Sequence, residues 1–309
     1  MNSVESKHIL VTGGSGFIGK ALCSKLLENG AQVTVLTRNI KSTGNKLPKT
    51  VTLIDSLNDF KPEKAVDIII NLAGQTIATK WTDTLKEEIL NSRVNTTASL
   101  IEYIKKTKTK PKLLISGSAI GYYGTDLEQE FSEDDYYHPN QQDMFTIKLC
   151  HLWEKEAQKA QDLGVRTCFL RTGVVLEKDG GTLAKLLPAF KLGLGGKISN
   201  GKQWFSWIHR DDIIGIILHI INNGKINGAV NGSAPNPVTN ADFTKALAKA
   251  LKRPALFTVP GCFLKAAFGQ MAEEIMLEGQ KVIPQKIINS GYKFKYPEIN
   301  QALGAIFNK

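Results

Sequence analysis

The stretch Val11–Lys20 reads "VTGGSGFIGK": glycines at 13, 16 and 19, placed directly after "HILVT" and at the head of "FIGKALCSKLLENG". An apolar β-forming run, a glycine turn and an amphipathic segment ending at Gly30 predict a strand, a tight turn and a helix. The three-residue spacing has a physical use in that setting. Gly13 permits the turn, Gly16 lets the backbone approach a pyrophosphate, and Gly19 lets the helix lie close to the strand. Phe17 and Ile18 then sit at the helix N-terminus, which faces the anion. The plain alternative is an ordinary strand-to-helix loop.

Outward from this turn, apolar runs alternate with helical patterns through the first 170 residues. Strands are predicted at 8–12, 32–37, 51–54, 67–72, 112–116 and 166–171. Such alternation is the mark of a Rossmann-type α/β fold, a doubly wound parallel sheet covered on both faces. Between Thr82 and Ile104, the residues Leu90, Val94, Thr97, Ile101 and Ile104 recur at helical steps and predict one buried stripe. Beyond Arg171 the pattern changes to the glycine-rich "KLGLGGKISNGKQW" and then to helices near 210–222, 240–251 and 261–277. The expected division is a dinucleotide-binding domain, 1–172, and a smaller α/β substrate lobe, 173–309, sharing a cleft at the carboxyl ends of the strands.

Composition narrows the function. The 309 residues are 42% hydrophobic and 22% charged, ordinary for a globular protein, and the longest apolar run, 213–221, is too short to cross a bilayer. No membrane partner is expected. "MNSVESKHIL" lacks the pattern of a signal peptide, so a cytoplasmic location is expected. Cys23, Cys150, Cys168 and Cys262 are scattered, predicting buried reduced thiols rather than disulfides or a zinc site. The net charge of +10 suits an anionic ligand. The densest lysine cluster, "KKTKTKPK" at 105–112, follows a predicted helix. It reads as complementing that helix's C-terminus rather than binding nucleic acid, because no aromatic residues are interleaved.

The end of the second strand selects the cofactor. An acidic residue there would bind a ribose hydroxyl, whereas "VLTRNIK" offers Thr37 and Arg38, which suits the 2′-phosphate of NADP. Arg38 as a solvated surface residue is the alternative.

The turn "TGGSGFIG", the later "NLAG" (71–74) and "SGSAIGYYG" (116–124) resemble the extended short-chain dehydrogenase/reductases, specifically the NAD-dependent epimerase/dehydratase group. The segments "KEEILNSRV", "RTGVVLEKDGG", "LGLGGKISNGKQWFSWIHRDDI", "NGSAPNPVTN" and "EGQKVIPQKIINSGY" are similar, in order, to its YfcH-like atypical subgroup. The resemblance implies that Thr37 and Arg38 contact the 2′-phosphate and that Asn71, Leu72, Ala73 and Gly74 form the turn beside the ribose. It also implies cofactor contacts for Glu88 and Arg93, and a backbone approach of Val174 to the nicotinamide. A small-molecule substrate and a homodimer are the partners it allows.

In the wider family a serine orients the substrate oxygen and a Tyr-x-x-x-Lys pair moves the proton. Ser118 stands at the serine position, though a strand-end serine can also serve only its own backbone. None of the seven tyrosines has a lysine four residues on. In "DMFTIKLCHLWE" the tyrosine position holds Met144 or Phe145, neither able to exchange a proton, and only Lys148 keeps a cation. Tyr122 or Lys148 is the expected substitute donor, with Tyr123, Asp143 and His151 nearby. The family run Gln-x-Arg-Asp-Phe-Ile-His-x-Asp-Asp reads "QWFSWIHRDD" here. Phe205 replaces the diphosphate-binding arginine and Ser206 the aspartate, leaving Lys185, Lys191 and Lys197 as point charges; Trp204, Phe205 and Trp207 suggest an aromatic wall or plain core. His209, Asp211 and Asp212 read as the opening of a helix, capped by an aspartate, with no metal expected. The leading expectation is an NADP-dependent oxidoreductase or epimerase acting on a small carbinol or sugar-like substrate. Its rival is a nonenzymatic NADP(H)-binding redox sensor, with RNA binding third.

Overall fold

A computed structural model describes residues 4–59 and 66–307. Its main sheet contains seven strands: β1 (His8–Thr12), β2 (Gln32–Leu36), β3 (Thr52–Ile54), β4 (Ile68–Asn71), β5 (Leu113–Ala119), β7 (Arg166–Thr172) and β12 (Gly228–Gly232). All neighbouring pairs are parallel, in the order β12-β7-β5-β4-β1-β2-β3. The remaining strands form two-stranded pairs: β6 (Asp126–Phe131) with β15 (Gln280–Val282), β8 (Val174–Glu177) with β11 (Trp207–His209), β9 (Gly196–Ile198) with β14 (Phe257–Val259), and β10 (Trp204–Phe205) with β13 (Val238–Thr239). This is the expected Rossmann-type α/β fold. The chain runs outward from β1 to β3, then returns to lay β4 on the other side of β1. Strand order therefore reverses between β1 and β4, where such sheets open a crevice.

The helices are α1 (Phe17–Glu28), α2 (Ile40–Gly44), α3 (Asp83–Lys106), α4 (Phe145–Asp162), α5 (Gly181–Lys191), α6 (Arg210–Asn222), α7 (Asn240–Leu251) and α8 (Gly261–Phe268), followed by short turns and a last helix, Ile299–Phe307. One face of the sheet is covered by α1 and α6, through Leu22, Cys23 and Leu26 of the first and Ile213, Ile216, Ile217 and Ile220 of the second. The other face is covered by α3 and α4, through Leu100, Ile101, Ile104, Ala157 and Ala160. The main sheet draws on both sides of residue 172, since β12 and α6 both come from beyond it. Within α3 the fully buried residues are Ile89, Thr97, Leu100, Ile101 and Ile104, while Leu90 and Val94 are half-buried. The expected stripe is rotated at its N-terminal half by one position.

A second core gathers Trp207, Phe243, Leu247, Leu303 and Ile306, with the Phe205 and Phe243 rings stacked at 4.2 Å. Trp207 and Phe205 are thus packing residues. The expected long helix over 261–277 is broken: α8 ends at Gly269, whose φ of +58° a helix cannot use. Lysines close α3 as expected, Lys110 Nζ donating to the carbonyls of Ile104, Lys105 and Thr107 at 2.7–3.0 Å. Cys23, Cys150 and Cys168 are buried, but Cys262 on α8 is exposed, which corrects the expectation for that thiol. No described helix is long and apolar enough to cross a membrane.

Candidate functional site

The site begins where β1 and β4 end. Gly13, at φ +70°, takes a conformation that side chains oppose, and a Cβ on it would lie 2.5 Å from the Leu72 carbonyl oxygen. The Gly16 amide donates to the Gly13 carbonyl at 3.0 Å, and a Cβ on Gly19 would strike that same carbonyl. Gly14 is equally constrained: its Cβ would come within 2.8 Å of both Val35 methyl groups. No side chain caps α1, so its first amides face the crevice with Phe17 and Ile18 at their head. The Phe17 ring is pressed between the Gly180–Gly181 turn and the Arg210 guanidinium, 5.1 Å from its centroid.

The Asn71–Gly74 turn is fixed from beneath. Thr12 Oγ1 donates to Asn71 Oδ1 at 2.6 Å, Asn71 Nδ2 donates to Thr97 Oγ1 at 2.8 Å, and the Ala73 amide donates to Thr12 Oγ1 at 3.2 Å. The Leu72 amide donates to the Thr12 carbonyl at 3.1 Å. Arg93 packs its guanidinium against Gly74, where a Cβ would come within 2.8 Å, and lies 5.2 Å from the Trp153 ring. The charge is therefore mostly enclosed. Glu88, one turn earlier on α3, is exposed. At the end of β2, Thr37 Oγ1 bonds Thr43 Oγ1 at 2.7 Å while Arg38 is exposed. Val174 opens β8 half-buried, its amide donating to the Ser206 carbonyl at 2.9 Å.

The three candidate catalytic side chains are not brought to one point. Ser118, at the end of β5, donates its hydroxyl proton to Glu154 Oε1 at 2.6 Å. Tyr122 is buried in a stack, with the Arg171 carbon 3.4 Å from its ring centroid and the His151 ring 4.8 Å away and nearly coplanar. Burial raises its pKa above the ordinary phenol value and lowers that of His151. Lys148 is exposed on α4 and paired with Asp143 at 2.9 Å. Met144 immediately precedes α4, at the lip of a cavity of about 490 Å³ whose other side carries Gln270, Glu273, Glu274 and Glu278.

Sequence reasoning missed the centre of this region. Glu154 and Arg171 form a buried two-point ion pair, Nε to Oε1 at 2.9 Å and Nη2 to Oε2 at 3.0 Å. Arg171 also donates to Tyr123 Oη at 2.9 Å. Glu274 was missed as well: its carboxylate accepts from the amides of Phe145 and Thr146 at 3.1 and 2.9 Å, capping α4 from a distant segment. The cap expected of Asp211 or Asp212 belongs instead to His209, whose Nδ1 accepts from the Asp211 amide at 3.0 Å. Asp212 is used otherwise, accepting from the Lys295 and Tyr296 amides at 2.7 and 2.9 Å and so tying the C-terminal segment to α6. Ser206 is structural too, donating to the Gln280 carbonyl at 2.7 Å. Trp204 is half-buried and donates to the Leu127 carbonyl at 2.9 Å.

Known proteins resemble this chain over nearly its whole length. The chain is 39% identical over 303 residues to "Epimerase family protein YfhF" of Bacillus subtilis (strain 168), covering 97% of each. It is 36% identical over 304 residues to "Epimerase family protein SDR39U1 homolog, chloroplastic" of Arabidopsis thaliana, covering 96% of this chain and 86% of that one. The crystal structure of human epimerase family protein SDR39U1 (isoform2) with NADPH superposes at a TM-score of 0.86 with 33% identity, covering 97% of this chain and 99% of that one. Residues 259–306 match a domain of unknown function, DUF1731. Residues 9–231 match the NAD-dependent epimerase/dehydratase family, to which this chain belongs.

Proposed function

We propose that this protein is an NADP(H)-dependent oxidoreductase or epimerase acting on a small carbinol or sugar-like substrate. The observation that carries the cofactor is the cradle at the end of β1, where any Cβ on Gly13 or Gly19 would fill the close approach of α1 to the strand. The amides of Phe17 and Ile18 would hold the pyrophosphate, and Leu72, Ala73, Gly74 and Val174 the ribose and nicotinamide sides. Thr37 and the exposed Arg38 suit a 2′-phosphate, and the human relative was crystallised with NADPH. Arg93 acts on the turn from below, through Gly74. When bound, the dinucleotide supplies the hydride donor or acceptor that the side chains lack.

In this reading Ser118 orients the substrate oxygen and Glu154 orients Ser118. Ser118 already directs its proton at Glu154, which leaves its oxygen lone pairs to accept from a substrate hydroxyl. Gripped at two points by Arg171, the Glu154 carboxylate fixes the Ser118 hydroxyl, and the serine oxygen holds the substrate hydroxyl in place. The second reading, NADP(H) binding without turnover, is favoured by Met144 or Phe145 at the tyrosine position and by Lys148 facing solvent.

Calorimetric titration with NADPH and NADH tests the cofactor, and a panel of carbinols and sugars tests turnover. Loss of an arginine-to-phosphate bond costs about 1.5–3 kcal/mol, so Arg38→Ala should weaken NADPH roughly 10- to 100-fold and leave NADH unchanged. Equal affinities in the unmodified protein would sink the NADP reading. Turnover that survives Ser118→Ala would sink the serine's role.

A further inference from the structure

The positive charge of the chain is concentrated. Residues 181–202 carry four lysines, and residues 245–265 carry four lysines and Arg253, with no aspartate or glutamate in either stretch. The remainder holds thirty basic and twenty-nine acidic residues, so these two stretches account for nine of the ten net charges. They are also neighbours. β9 pairs with β14 in parallel, Arg253 Nε donates to the Lys191 carbonyl at 3.1 Å, and a Cβ on Gly193 would touch Pro254 at 3.5 Å.

The same region presents apolar side chains to solvent. Leu192, Leu194, Leu256 and Phe257 are 75%, 56%, 88% and 54% exposed, and Phe263 at the start of α8 is 64% exposed. Leu192 and Leu194 flank Gly193, whose φ of +75° turns the chain outward after α5. Leu256 and Phe257 lie where the opposite chain enters β14. Lys245 and Lys265 pair with Asp242 at 3.8 Å and Glu273 at 3.0 Å, while the other seven cations have no carboxylate partner among the described residues.

From this juxtaposition we infer that the end of the C-terminal lobe formed by the α5–β9 and α7–β14–α8 connections is a docking surface for an anionic lipid bilayer. Apolar tips enter the boundary between headgroups and acyl chains, and the surrounding lysines reach lipid phosphates over long apolar stems. Charge complementarity selects this occupant. Protein interfaces favour arginine and deplete lysine, whereas these two stretches hold one arginine and eight lysines, one of which, Lys185, is turned to the Ala78 carbonyl. A nucleic acid would use the cations but leave three exposed leucines without a role.

The test is co-sedimentation of the full chain with vesicles of phosphatidylcholine, with and without phosphatidylglycerol, at low and high salt. Binding is expected only to the phosphatidylglycerol vesicles, and it should fall as salt rises. Leu256→Asp with Phe257→Asp, and separately Lys249→Glu with Lys252→Glu, should each weaken it by about tenfold or more. Both variants alter exposed side chains, so unchanged melting temperature and NADPH affinity will show that the fold is intact. Absence of binding to the anionic vesicles, equal binding to neutral ones, or binding indifferent to either variant overturns the inference. So does a dimer, seen by equilibrium sedimentation without vesicle binding, that Leu256→Asp dissociates, since the surface then belongs to a second copy.

Discussion

Replacing Arg171 by methionine should be among the most destabilising changes available in this fold. The side chain is buried, grips Glu154 at two points of 2.9 and 3.0 Å, and lies face-on to Tyr122 at 3.4 Å. Methionine fills much of the space but leaves a buried carboxylate without its counter-charge, a loss of about 3–5 kcal/mol. Glu154→Leu strands the guanidinium instead and should cost a similar amount. The double variant removes both charges. What remains is the loss of hydrogen-bond partners for Ser118 and Tyr123, worth roughly 1–3 kcal/mol together. The two singles should therefore exceed the double by at least about 3 kcal/mol, far above the roughly 0.5 kcal/mol scatter of independent sites. Urea unfolding of the four proteins without cofactor gives the cycle directly. Additive losses would refute the claim that these charges are mutually compensated, and with it the role of Glu154 as the anchor of the Ser118 hydroxyl.

Gly19→Val should abolish measurable NADPH binding and lower the melting temperature, because even the first added carbon strikes the Gly13 carbonyl. Gly164→Ala provides the control: its φ is +78° but nothing lies within 4 Å, so only backbone strain of about 1 kcal/mol should appear and cofactor affinity should not change. The histidines predict a pH dependence. Burial lowers the pKa values of His151, His209 and His219, so below the unfolded value of about 6.5 the unfolded chain binds more protons than the folded one. Their contribution is fully present above that pH and is lost as pH falls through the lowered folded values. His209→Asn can still cap α6 but cannot titrate, so its urea midpoint should fall less steeply between neutral and mildly acid pH. Identical slopes for the two proteins would contradict the assignment.

The strands could be read because most are short β-branched or leucine-rich runs with buried interiors, bounded by glycine or polar residues, the half-exposed edge strand β3 being the exception. Strand β5 shows the limit of that reading. It continues through Gly117, Ser118 and Ala119, residues of poor β propensity that are held in the ladder by Leu170, Arg171 and Thr172 of β7. The same limit explains the domain boundary. Periodicity identifies α6 as a helix and leaves "GAVNG" without a strand signal, and nothing local reveals that both return to the first sheet, since docking depends on contacts remote in sequence.

At the site, legibility divides along the same line. The roles of Gly13 and Gly19 follow from local sterics, and their spacing exposes them. Glu154 lies in "LWEKEAQKAQD", where glutamate, lysine and glutamine alternate as on any solvated helix face, and only tertiary packing turns it inward beneath Ser118, 36 positions away. Ser118 was visible as a strand-end serine, yet its chemistry depends on that partner. The N-terminus of α4 makes the point from the other side. Met144 and Phe145 mark the loss of the tyrosine in the sequence, but the helix that should carry a catalytic side chain there is fixed by Glu274, 129 residues from Phe145. Because this cap comes from the C-terminal segment, the geometry at the N-terminus of α4 is set jointly by both parts of the chain. A change at Glu274 should therefore reach the site through α4 without touching cofactor or substrate.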